Sequence, residues 1–400
     1  MSRHPEHVLV VGAGLGGLRT AEQLRAAGFP GRIGLVGAEP HLPYDRPPLS
    51  KQLLTGEWDP PRAVLRDADG LDDLGIRTHL GLPAVALRPG EVVLDDGASL
   101  YADAVVLATG LVARRLPGQP AGVHTLRTLD DALALRTALA GARSLAVVGG
   151  GFIGAEVATS ARTRGVAVTV LEALPVPLAG ALGEQVGALC ARLAVEAGVD
   201  LRTGVRVERF VDEHTLELAG GDRVTADVVV VGVGGRPELG WLAGSGVPAG
   251  DGIACDATGR VAGVEGVWAL GDVAAWPDPV RGGVRRVEHW TSAGEQARVV
   301  ARDVLGLDPP APRVPYVWSD QFGLKIQVFG RPELADDLIA LHGTGLAGGP
   351  VAGTVIGCTA GDRLVAVVGF GAPRLVMRHR VLLARAAGRD EALALAAELG

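Results

Sequence analysis

The stretch VVGGGFIGAE at residues 147–156 repeats a pattern that the chain already contains at residues 8–17, VLVVGAGLGG. In each copy an apolar run ends in three glycines with the spacing G-x-G-x-x-G, namely Gly12, Gly14, Gly17 and Gly149, Gly151, Gly154. The first glycine makes a tight turn, the second lets the backbone approach a pyrophosphate, and the third lets helix and strand pack closely. One copy is weak evidence, because such a turn can be purely structural.

The residues after each motif complete a strand–turn–helix–strand unit, which requires parallel pairing of its two strands. The first unit continues through LRTAEQLRAAG to RIGLVGAE, and residues 145–172 repeat the whole arrangement. Each unit ends in an acid at the tip of its second strand, Glu39 or Glu172, which can accept both ribose hydroxyls of an adenosine. Two complete units therefore predict two bound dinucleotides, and hence electron transfer between a nicotinamide and a flavin.

Glu172 also bears on which nicotinamide is used. A carboxylate at this position repels a 2′-phosphate and binds a free 2′-hydroxyl, which favours NADH over NADPH. Arg162 and Arg164 lie on the helix of the same unit, and they keep binding of a 2′-phosphate open.

Composition excludes several other classes of protein. The net charge of −7 argues against binding to nucleic acid, which usually needs a basic surface. No apolar stretch reaches 18 residues and the N-terminus lacks a signal-peptide core, so we expect a cytoplasmic protein without a membrane partner. A monomeric or weakly dimeric state is expected as well. The cysteines Cys190, Cys255 and Cys358 are far apart, which predicts buried thiols and no metal site.

The rest of the chain predicts an α/β protein with two Rossmann-like domains and a C-terminal α+β domain. Apolar runs that end in glycine predict buried strands at 104–110, 227–234 and 266–272. Helical periodicity occurs at 129–140, 184–197, 293–305 and 374–398. Beyond a proline-rich linker at 309–315, the alternation of apolar and polar residues over 316–370 predicts antiparallel strands.

At this point the chain resembles a known group, the FAD-dependent, NADH-using ferredoxin reductases of bacterial oxygenase systems, whose relatives include rubredoxin reductases and apoptosis-inducing factor. Besides the glycine motifs, the resemblance is carried by PYDRPPLSK (43–51), ATG (108–110), RTLDDA (127–132), LGDVA (270–274), VEHWTSAGEQA (287–297) and WSDQFGLKIQVFG (318–330). The chain departs from the group at Ala297 and in the glycine-rich stretch 342–358.

The resemblance implies a glutathione-reductase-like fold of three domains. The FAD domain is expected to be discontinuous, at 1–112 and 240–310. The NADH domain is expected at 113–239 and the C-terminal α+β domain at 311–400.

The resemblance also implies roles for individual residues. Asp272 is expected to hold the ribityl chain of FAD, although it can also be the N-cap of a following helix. Arg46 and Lys51 are expected to contact FAD, with Lys51 near the reactive flavin nitrogen. Glu156 is expected where nicotinamide meets flavin, paired with Lys51.

Further contacts follow from the same resemblance. Trp290 and Trp318 are expected beside the isoalloxazine ring, and Phe152 and Ile153 either near the nicotinamide or in the helix core. His289 is expected to be a packed residue rather than an acid–base catalyst. The remaining expected cofactor contacts are Thr109, Gly110, Arg127, Gly234, Glu288 and His289.

The absence of cysteine from positions 40–56 predicts that no thiol relays the electrons, which then pass from flavin directly to an external acceptor. The resemblance implies a 2Fe–2S ferredoxin that supplies a haem or Rieske oxygenase. The surface of this chain that binds the ferredoxin is expected to contain Arg313, Arg374, Arg378, Arg380 and Arg385. These arginines can also form an ordinary solvent-exposed face. Three alternatives stay open: a reductase of rubredoxin or another acceptor, an NADH oxidase, and an NADH-sensing flavoprotein similar to apoptosis-inducing factor.

Overall fold

The computed structural model describes residues 5–399, which divide into two units. Unit 1 holds the residues up to Asp45, Pro61–Val112 and Gly235–Arg313, and unit 2 holds Arg46–Pro60, Ala113–Gly234 and the residues from Val314 onward.

The helices among these residues are α1 (Leu15–Ala26), α2 (Gln52–Thr55), α3 (Ala68–Asp73), α4 (Leu129–Ala138), α5 (Phe152–Thr163), α6 (Ala179–Leu182), α7 (Glu184–Glu196), α8 (Trp290–Val304), α9 (Pro373–Ala384) and α10 (Arg389–Leu399). The strands are β1 (His7–Val11), β2 (Arg32–Gly37), β3 (Ile76–Leu80), β4 (Ala84–Arg88), β5 (Glu91–Leu94), β6 (Ser99–Tyr101), β7 (Ala104–Leu107), β8 (Val112–Ala113), β9 (Ser144–Val148), β10 (Ala167–Glu172), β11 (Asp200–Thr203), β12 (Val207–Phe210), β13 (Thr215–Leu218), β14 (Arg223–Thr225), β15 (Val228–Val231), β16 (Gly235–Arg236), β17 (Ala249–Gly250), β18 (Gly252–Ala254), β19 (Val267–Ala269), β20 (Ala274–Pro277), β21 (Val284–Arg286), β22 (Tyr316–Gln321), β23 (Leu324–Gly330), β24 (Asp337–His342), β25 (Val355–Ala360) and β26 (Arg363–Phe370).

Unit 1 is built on a parallel sheet with the strand order β19-β7-β1-β2-β3. The central strand β1 pairs on both sides, and its apolar residues are buried, as expected for a strand covered on both faces. Helices α1 and α8 share one core, in which Leu18 and Leu24 lie with Val300 and Ala301. Helix α8 begins at Trp290, three residues before the periodicity at 293–305, because His289 is still extended.

The first part of unit 2 repeats this arrangement with the parallel order β11-β10-β9-β15. Helix α5 connects β9 to β10 as α1 connects β1 to β2. Both glycine motifs therefore lie at the carboxyl end of a strand that has a neighbour on each side.

The C-terminal part of unit 2 is an antiparallel sheet with the order β22-β23-β26-β25-β24, followed by α9 and α10. The helical stretch expected at 374–398 is interrupted, because Ala386 has a φ of +55° and the buried Ala387 donates its N–H to the Leu382 carbonyl. The predicted α/β class with a C-terminal α+β region is confirmed.

Helix α7 packs against this antiparallel sheet through a shared apolar core. Leu189 and Leu193 of α7 lie in one cluster with Ile326, Val328 and Phe370.

Beside that core, Arg192 of α7 binds the glycine-rich stretch 342–358. Its guanidinium donates to the carbonyl oxygens of Gly345 at 3.0 Å and Gly349 at 2.7 Å. The departure from the related sequences in this stretch therefore coincides with a segment whose backbone carbonyls are held by a side chain of α7.

No helix among residues 5–399 combines the length and the apolar character needed to cross a membrane.

Burial lowers the pKa of four histidines, His7, His79, His124 and His342, below the ordinary value of 6.5. Their imidazoles bind fewer protons in the folded chain than in the unfolded chain when the pH falls below 6.5. The contribution of these four neutral histidines to the stability of the fold is therefore fully present above that pH and is lost as the pH falls.

We predict that the unfolding temperature falls between pH 7 and pH 5.5, a range in which ordinary carboxylates do not titrate. His124→Gln should remove part of this dependence, because the substituted side chain does not titrate. Thermal unfolding followed by circular dichroism measures both effects. A flat profile over this range would contradict the prediction.

Candidate functional site

Gly12 forms the turn that ends β1, beside the end of β7. Its φ is +118°, and a Cβ at this position would overlap the carbonyl oxygen of Ala108. A Cβ on Gly17 in α1 would overlap the carbonyl oxygen of Gly12. Neither position therefore accepts another residue without a shift of the backbone.

The turn at Gly149 has the same construction. Its φ is +105°, and a Cβ there would lie 2.5 Å from the carbonyl oxygen of Gly232, just beyond β15. A Cβ on Gly154 in α5 would overlap the Gly149 carbonyl oxygen. In both copies of the glycine motif, the first and third glycines therefore lie too close to a backbone carbonyl to carry a side chain.

The middle glycines differ from their neighbours, because they face open space. Gly14 and Gly151 are the N-caps of α1 and α5, and no atom lies within 4 Å of the place where a Cβ would stand. No side-chain cap bonds the first-turn amides of either helix. A pyrophosphate can therefore approach both helix N-termini, so the residues fit two dinucleotides, FAD and NADH.

The two acids at the ends of the units are not equivalent. Val11 pairs with Val36 and Val148 pairs with Leu171, so the strand position of Glu172 is taken in unit 1 by Gly37. Glu39 lies two residues beyond β2, where it accepts a hydrogen bond from the Tyr44 hydroxyl at 2.5 Å. The prediction that Glu39 ends its strand is therefore wrong by two residues.

Glu172 is buried at the end of β10 and holds its own loop. Its carboxylate accepts the Gly150 N–H at 2.6 Å and the Leu174 N–H at 2.7 Å. A carboxylate oxygen can accept more than one bond, so both oxygens keep acceptor capacity for ribose hydroxyls.

Arg162, in the last turn of α5, and Arg164, which follows the helix as its C-cap, are engaged with backbone carbonyls. Arg162 donates to Ala197 at 3.2 Å and Val166 at 3.0 Å, and Arg164 donates to Leu54 at 3.0 Å. These bonds argue against their use for a 2′-phosphate.

Lys51 and Glu156 form an ion pair inside unit 2. Lys51 Nζ lies 2.7 Å from Glu156 Oε2, and the Glu156 side chain is 4% exposed. Two serine hydroxyls donate to the same carboxylate, Ser50 to Oε2 at 2.5 Å and Ser319 to Oε1 at 2.6 Å. The contact is present, whereas its role in hydride transfer stays a prediction.

Other expected FAD contacts of unit 2 lie on three segments. Arg46 donates to the carbonyl oxygen of Arg127, which immediately precedes the capping box of α4. Trp318 stacks on Tyr316 with ring centroids 5.7 Å apart, and Lys325 Nζ lies 5.9 Å from the Trp318 ring.

The expected residues at the start of α5 differ in their surroundings. Phe152 packs against the core cluster that contains α7, whereas Ile153 is 43% exposed. Gly234 follows the end of β15, at the same sheet edge as Gly149.

In unit 1, two residues that are expected to contact FAD, Asp272 and Glu288, both accept hydrogen bonds from Arg286. Arg286 donates to the carbonyl oxygen of Asp272 at 3.1 Å and to the carboxylate of Glu288 at 2.7 Å. Asp272 lies in a short 3₁₀ turn that leads into β20, so the alternative that it caps an α-helix is wrong. Thr109 and Gly110 follow β7, next to Gly12.

Trp290 and His289 stand at the start of α8. His289 is the N-cap residue without a capping side-chain bond, and Trp290 is 37% exposed. The indole N–H of Trp290 donates to Asp45 at 2.7 Å.

The thiols cannot act as a relay. Cys190, Cys255 and Cys358 are unpaired and buried, and burial raises the pKa of each to about 12. Among residues 5–399, no cluster of three or more His, Cys, Asp or Glu side chains suits a metal ion.

Five residues around these contacts were not expected from the sequence: Asp45, Ser50, Arg286, Ser319 and Gln321. Ser50 and Ser319 stand inside PYDRPPLSK and WSDQ, directly beside Lys51 and Trp318. Polar residues within these specific motifs were the available signal.

We predict that Gly151→Ala folds like the parent but binds NADH at least about tenfold more weakly, because its methyl group fills the space open to the pyrophosphate. Gly154→Ala should instead lower the unfolding temperature, because its Cβ overlaps the Gly149 carbonyl. Calorimetric titration with NADH and thermal unfolding measure the two effects.

Gly141→Ala is the matched control, since a Cβ there meets no atom within 4 Å and Gly141 lies outside both turns. Unchanged NADH affinity in Gly151→Ala would contradict the placement of the pyrophosphate.

Comparison with known proteins identifies two family matches. Residues 6–297 match the family described as "Pyridine nucleotide-disulphide oxidoreductase", and residues 316–398 match "Reductase C-terminal".

Individual relatives match over nearly the whole chain. The ferredoxin reductase component of chlorobenzene dioxygenase from Cupriavidus sp. (strain PS12) is 41% identical over 95% of this chain and 93% of its own. Rhodocoxin reductase of Rhodococcus erythropolis is 38% identical over 94% and 89%. The reductase in the covalent putidaredoxin reductase–putidaredoxin complex superposes with a TM-score of 0.90 and 31% identity over 95% and 93%. The chain therefore belongs to the pyridine nucleotide-disulphide oxidoreductase family, and the resemblance to ferredoxin reductases is confirmed.

Proposed function

We propose that this chain is an NADH-dependent ferredoxin reductase that carries FAD and supplies a 2Fe–2S ferredoxin of a haem or Rieske oxygenase. The observation that carries the proposal is the pair of glycine turns, each open at its middle glycine, in a chain whose cysteines are all buried. The names of the relatives, a ferredoxin reductase component and a reductase complexed with putidaredoxin, support the same acceptor.

The glycine turn at Gly12 is proposed to bind FAD, and the glycine turn at Gly149 is proposed to bind NADH. When bound, FAD supplies the chemistry of accepting electrons as a pair and releasing them singly. The residues proposed to hold FAD are Gly12, Gly14, Gly17, Glu39, Arg46, Lys51, Thr109, Gly110, Arg127, Asp272, Glu288, His289, Trp290 and Trp318. The residues proposed for NADH are Gly149, Gly151, Phe152, Ile153, Gly154, Glu156, Glu172 and Gly234.

Lys51 and Glu156 carry the proposed catalytic roles. Lys51 provides a fixed positive charge that stabilises negative charge on a reduced cofactor. Glu156 keeps that charge in place through the ion pair of 2.7 Å. Hydride transfer depends on such geometry more than on proton movement.

We keep the three-domain organisation as part of the proposal, with FAD at 1–112 and 240–310, NADH at 113–239 and a C-terminal domain at 311–400. A cytoplasmic location and a monomeric or weakly dimeric state are proposed with it.

Three of the five arginines that were expected to bind ferredoxin already interact with other side chains of this chain. Arg313 pairs with Glu295 at 3.0 Å, Arg385 pairs with Glu391 at 2.7 Å, and the Arg380 guanidinium lies 5.7 Å from the Phe329 ring centre.

The remaining two arginines, Arg374 and Arg378, are exposed on α9, and no ion pair with another described residue engages them. Met377 and Val381 lie on the same helix stripe, 45% and 64% exposed. We propose this stripe of Arg374, Met377, Arg378 and Val381 as the docking face, because an acidic ferredoxin complements its charge.

We predict that NADH reduces the bound flavin and that cytochrome c reduction by NADH rises when a 2Fe–2S ferredoxin is added. NADPH should be the poorer donor, because Glu172 opposes a 2′-phosphate. Stopped-flow absorbance with a panel of ferredoxins, rubredoxin and oxygen measures these rates.

Fast oxygen consumption without ferredoxin would contradict the proposal in favour of an oxidase. Preference for rubredoxin would change the acceptor. A flavin–NAD complex that reoxidises very slowly, with a change in molecular size, would favour the sensing function.

We predict that Arg378→Glu slows ferredoxin-linked turnover about tenfold at low ionic strength but spares ferricyanide reduction. The difference should shrink as salt is added, because salt screens exposed charges. Arg206→Glu is the control, with the same charge change at an exposed arginine outside α9. Equal losses in both assays, or in both variants, would remove the stripe from the proposal.

A further inference from the structure

We propose that Ser319 is a positioning residue for Glu156 and that Gln321 sets the direction of its hydroxyl. The inference rests on the proposed function, because it concerns the residue that holds Lys51. It extends that site to the C-terminal sheet, since Ser319 and Gln321 belong to β22.

The Glu156 carboxylate is buried and satisfied by three donors. Oε2 accepts from Lys51 Nζ at 2.7 Å and from the Ser50 hydroxyl at 2.5 Å, and Oε1 accepts from the Ser319 hydroxyl at 2.6 Å. A buried carboxylate depends on such donors, because it has lost its water. Ser319 is the described donor on the Oε1 side, so its loss leaves that oxygen without one.

Gln321 determines which way the Ser319 hydroxyl points. The Gln321 amide Nε2–H donates to Ser319 Oγ at 3.0 Å, so the serine oxygen is the acceptor of that bond. The serine proton is then directed to Glu156 Oε1, because an ionised carboxylate can only accept. Both side chains are buried, Ser319 at 0% and Gln321 at 1% exposure, so water cannot replace either bond.

This arrangement fixes Lys51. A carboxylate bonded at both oxygens cannot rotate, and the ammonium group follows the oxygen to which it is bonded. Lys51 Nζ also donates to the Pro47 carbonyl at 3.2 Å, which uses a second of its three N–H bonds. Among residues 5–399 no further partner takes the third N–H, which is left for a cofactor atom in a direction set by the other two.

The low lysine content of the chain allows the position of the Lys51 ammonium group to be tested directly. Lys51 and Lys325 are the only lysines among the 400 residues, whereas 36 of the 38 basic Lys and Arg side chains are arginine. Selective ¹⁵N labelling of lysine therefore yields two side-chain signals. Lys325, which pairs with Asp320 at 2.7 Å, serves as the internal reference.

The experiment compares Ser319→Ala and Gln321→Leu with the parent holoenzyme. The control is Thr359→Val, which alters another fully buried hydroxyl of the same sheet that does not touch Glu156. The first readout is the Lys51 ammonium signal and its hydrogen-exchange rate. The second is the rate constant of flavin reduction by NADH.

In Ser319→Ala we expect faster exchange of the Lys51 ammonium protons, because the carboxylate that anchors them becomes mobile. Flavin reduction by NADH should slow, because the Lys51 ammonium group no longer keeps one direction. Gln321→Leu should give a smaller change in the same direction. Ser319→Thr should restore both readouts, because it keeps the hydroxyl.

Unchanged Lys51 exchange and an unchanged rate of flavin reduction in folded Ser319→Ala would overturn the proposal, and so would equal changes in Thr359→Val. If Ser319→Ala does not fold, Gln321→Leu decides on the same readouts. The Lys51 signal requires no ferredoxin, so its outcome is independent of whether the chain proves to be a ferredoxin reductase.

Discussion

The close approach of two glycine turns to the next strand of their sheets is the constraint on which the rest of the structure depends. At Gly12 and Gly149 a side chain would collide with a carbonyl of the adjacent strand end, so only glycine keeps the sheet and the turn together. Because both turns are built in this way, α1 and α5 begin beside open space with unused amide donors. The two acids, like the ATG segment and the Gly234 loop, come after strands of the same two sheets, at or just beyond their carboxyl ends.

A second constraint acts inside unit 2, where one buried carboxylate binds segments that are distant in sequence. Glu156 bonds to Ser50, 106 positions earlier, and to Ser319, 163 positions later. Burial makes each missing donor costly, so the three segments must come together for the carboxylate to have its donors. The same contacts that stabilise this part of the chain therefore also hold the ammonium group of Lys51.

Local patterns were sufficient to predict the repeated fold, because strand–glycine–helix units are determined within about 30 residues. Counting along the sequence failed at Glu39, since the longer connection between α1 and β2 accounts for only part of its greater distance from the glycine motif, and β2 already ends at Gly37. The helix expected after Asp272 is a strand, because its short apolar run is compatible with either element.

Contacts between distant segments were beyond reach of such patterns. Ser319 carries no periodic signal that links it to Glu156, and the sequence does not tell that Arg313 and Arg385 already have acidic partners. The pairing of Lys51 with Glu156 was expected only because the family resemblance supplied it. Spacing alone would not join residues 51 and 156.

The packing of α7 has a consequence for how such chains can be recombined. This helix belongs by sequence to the second nucleotide-binding segment, yet its apolar side chains lie in the core of the C-terminal sheet, and Arg192 holds the glycine-rich loop. A chimaera that joins the C-terminal sheet of one relative to the nucleotide-binding region of another would have mismatched surfaces at α7. The natural crossover unit for grafting is therefore the sheet together with the apolar stripe of α7 that it covers, rather than the sheet alone.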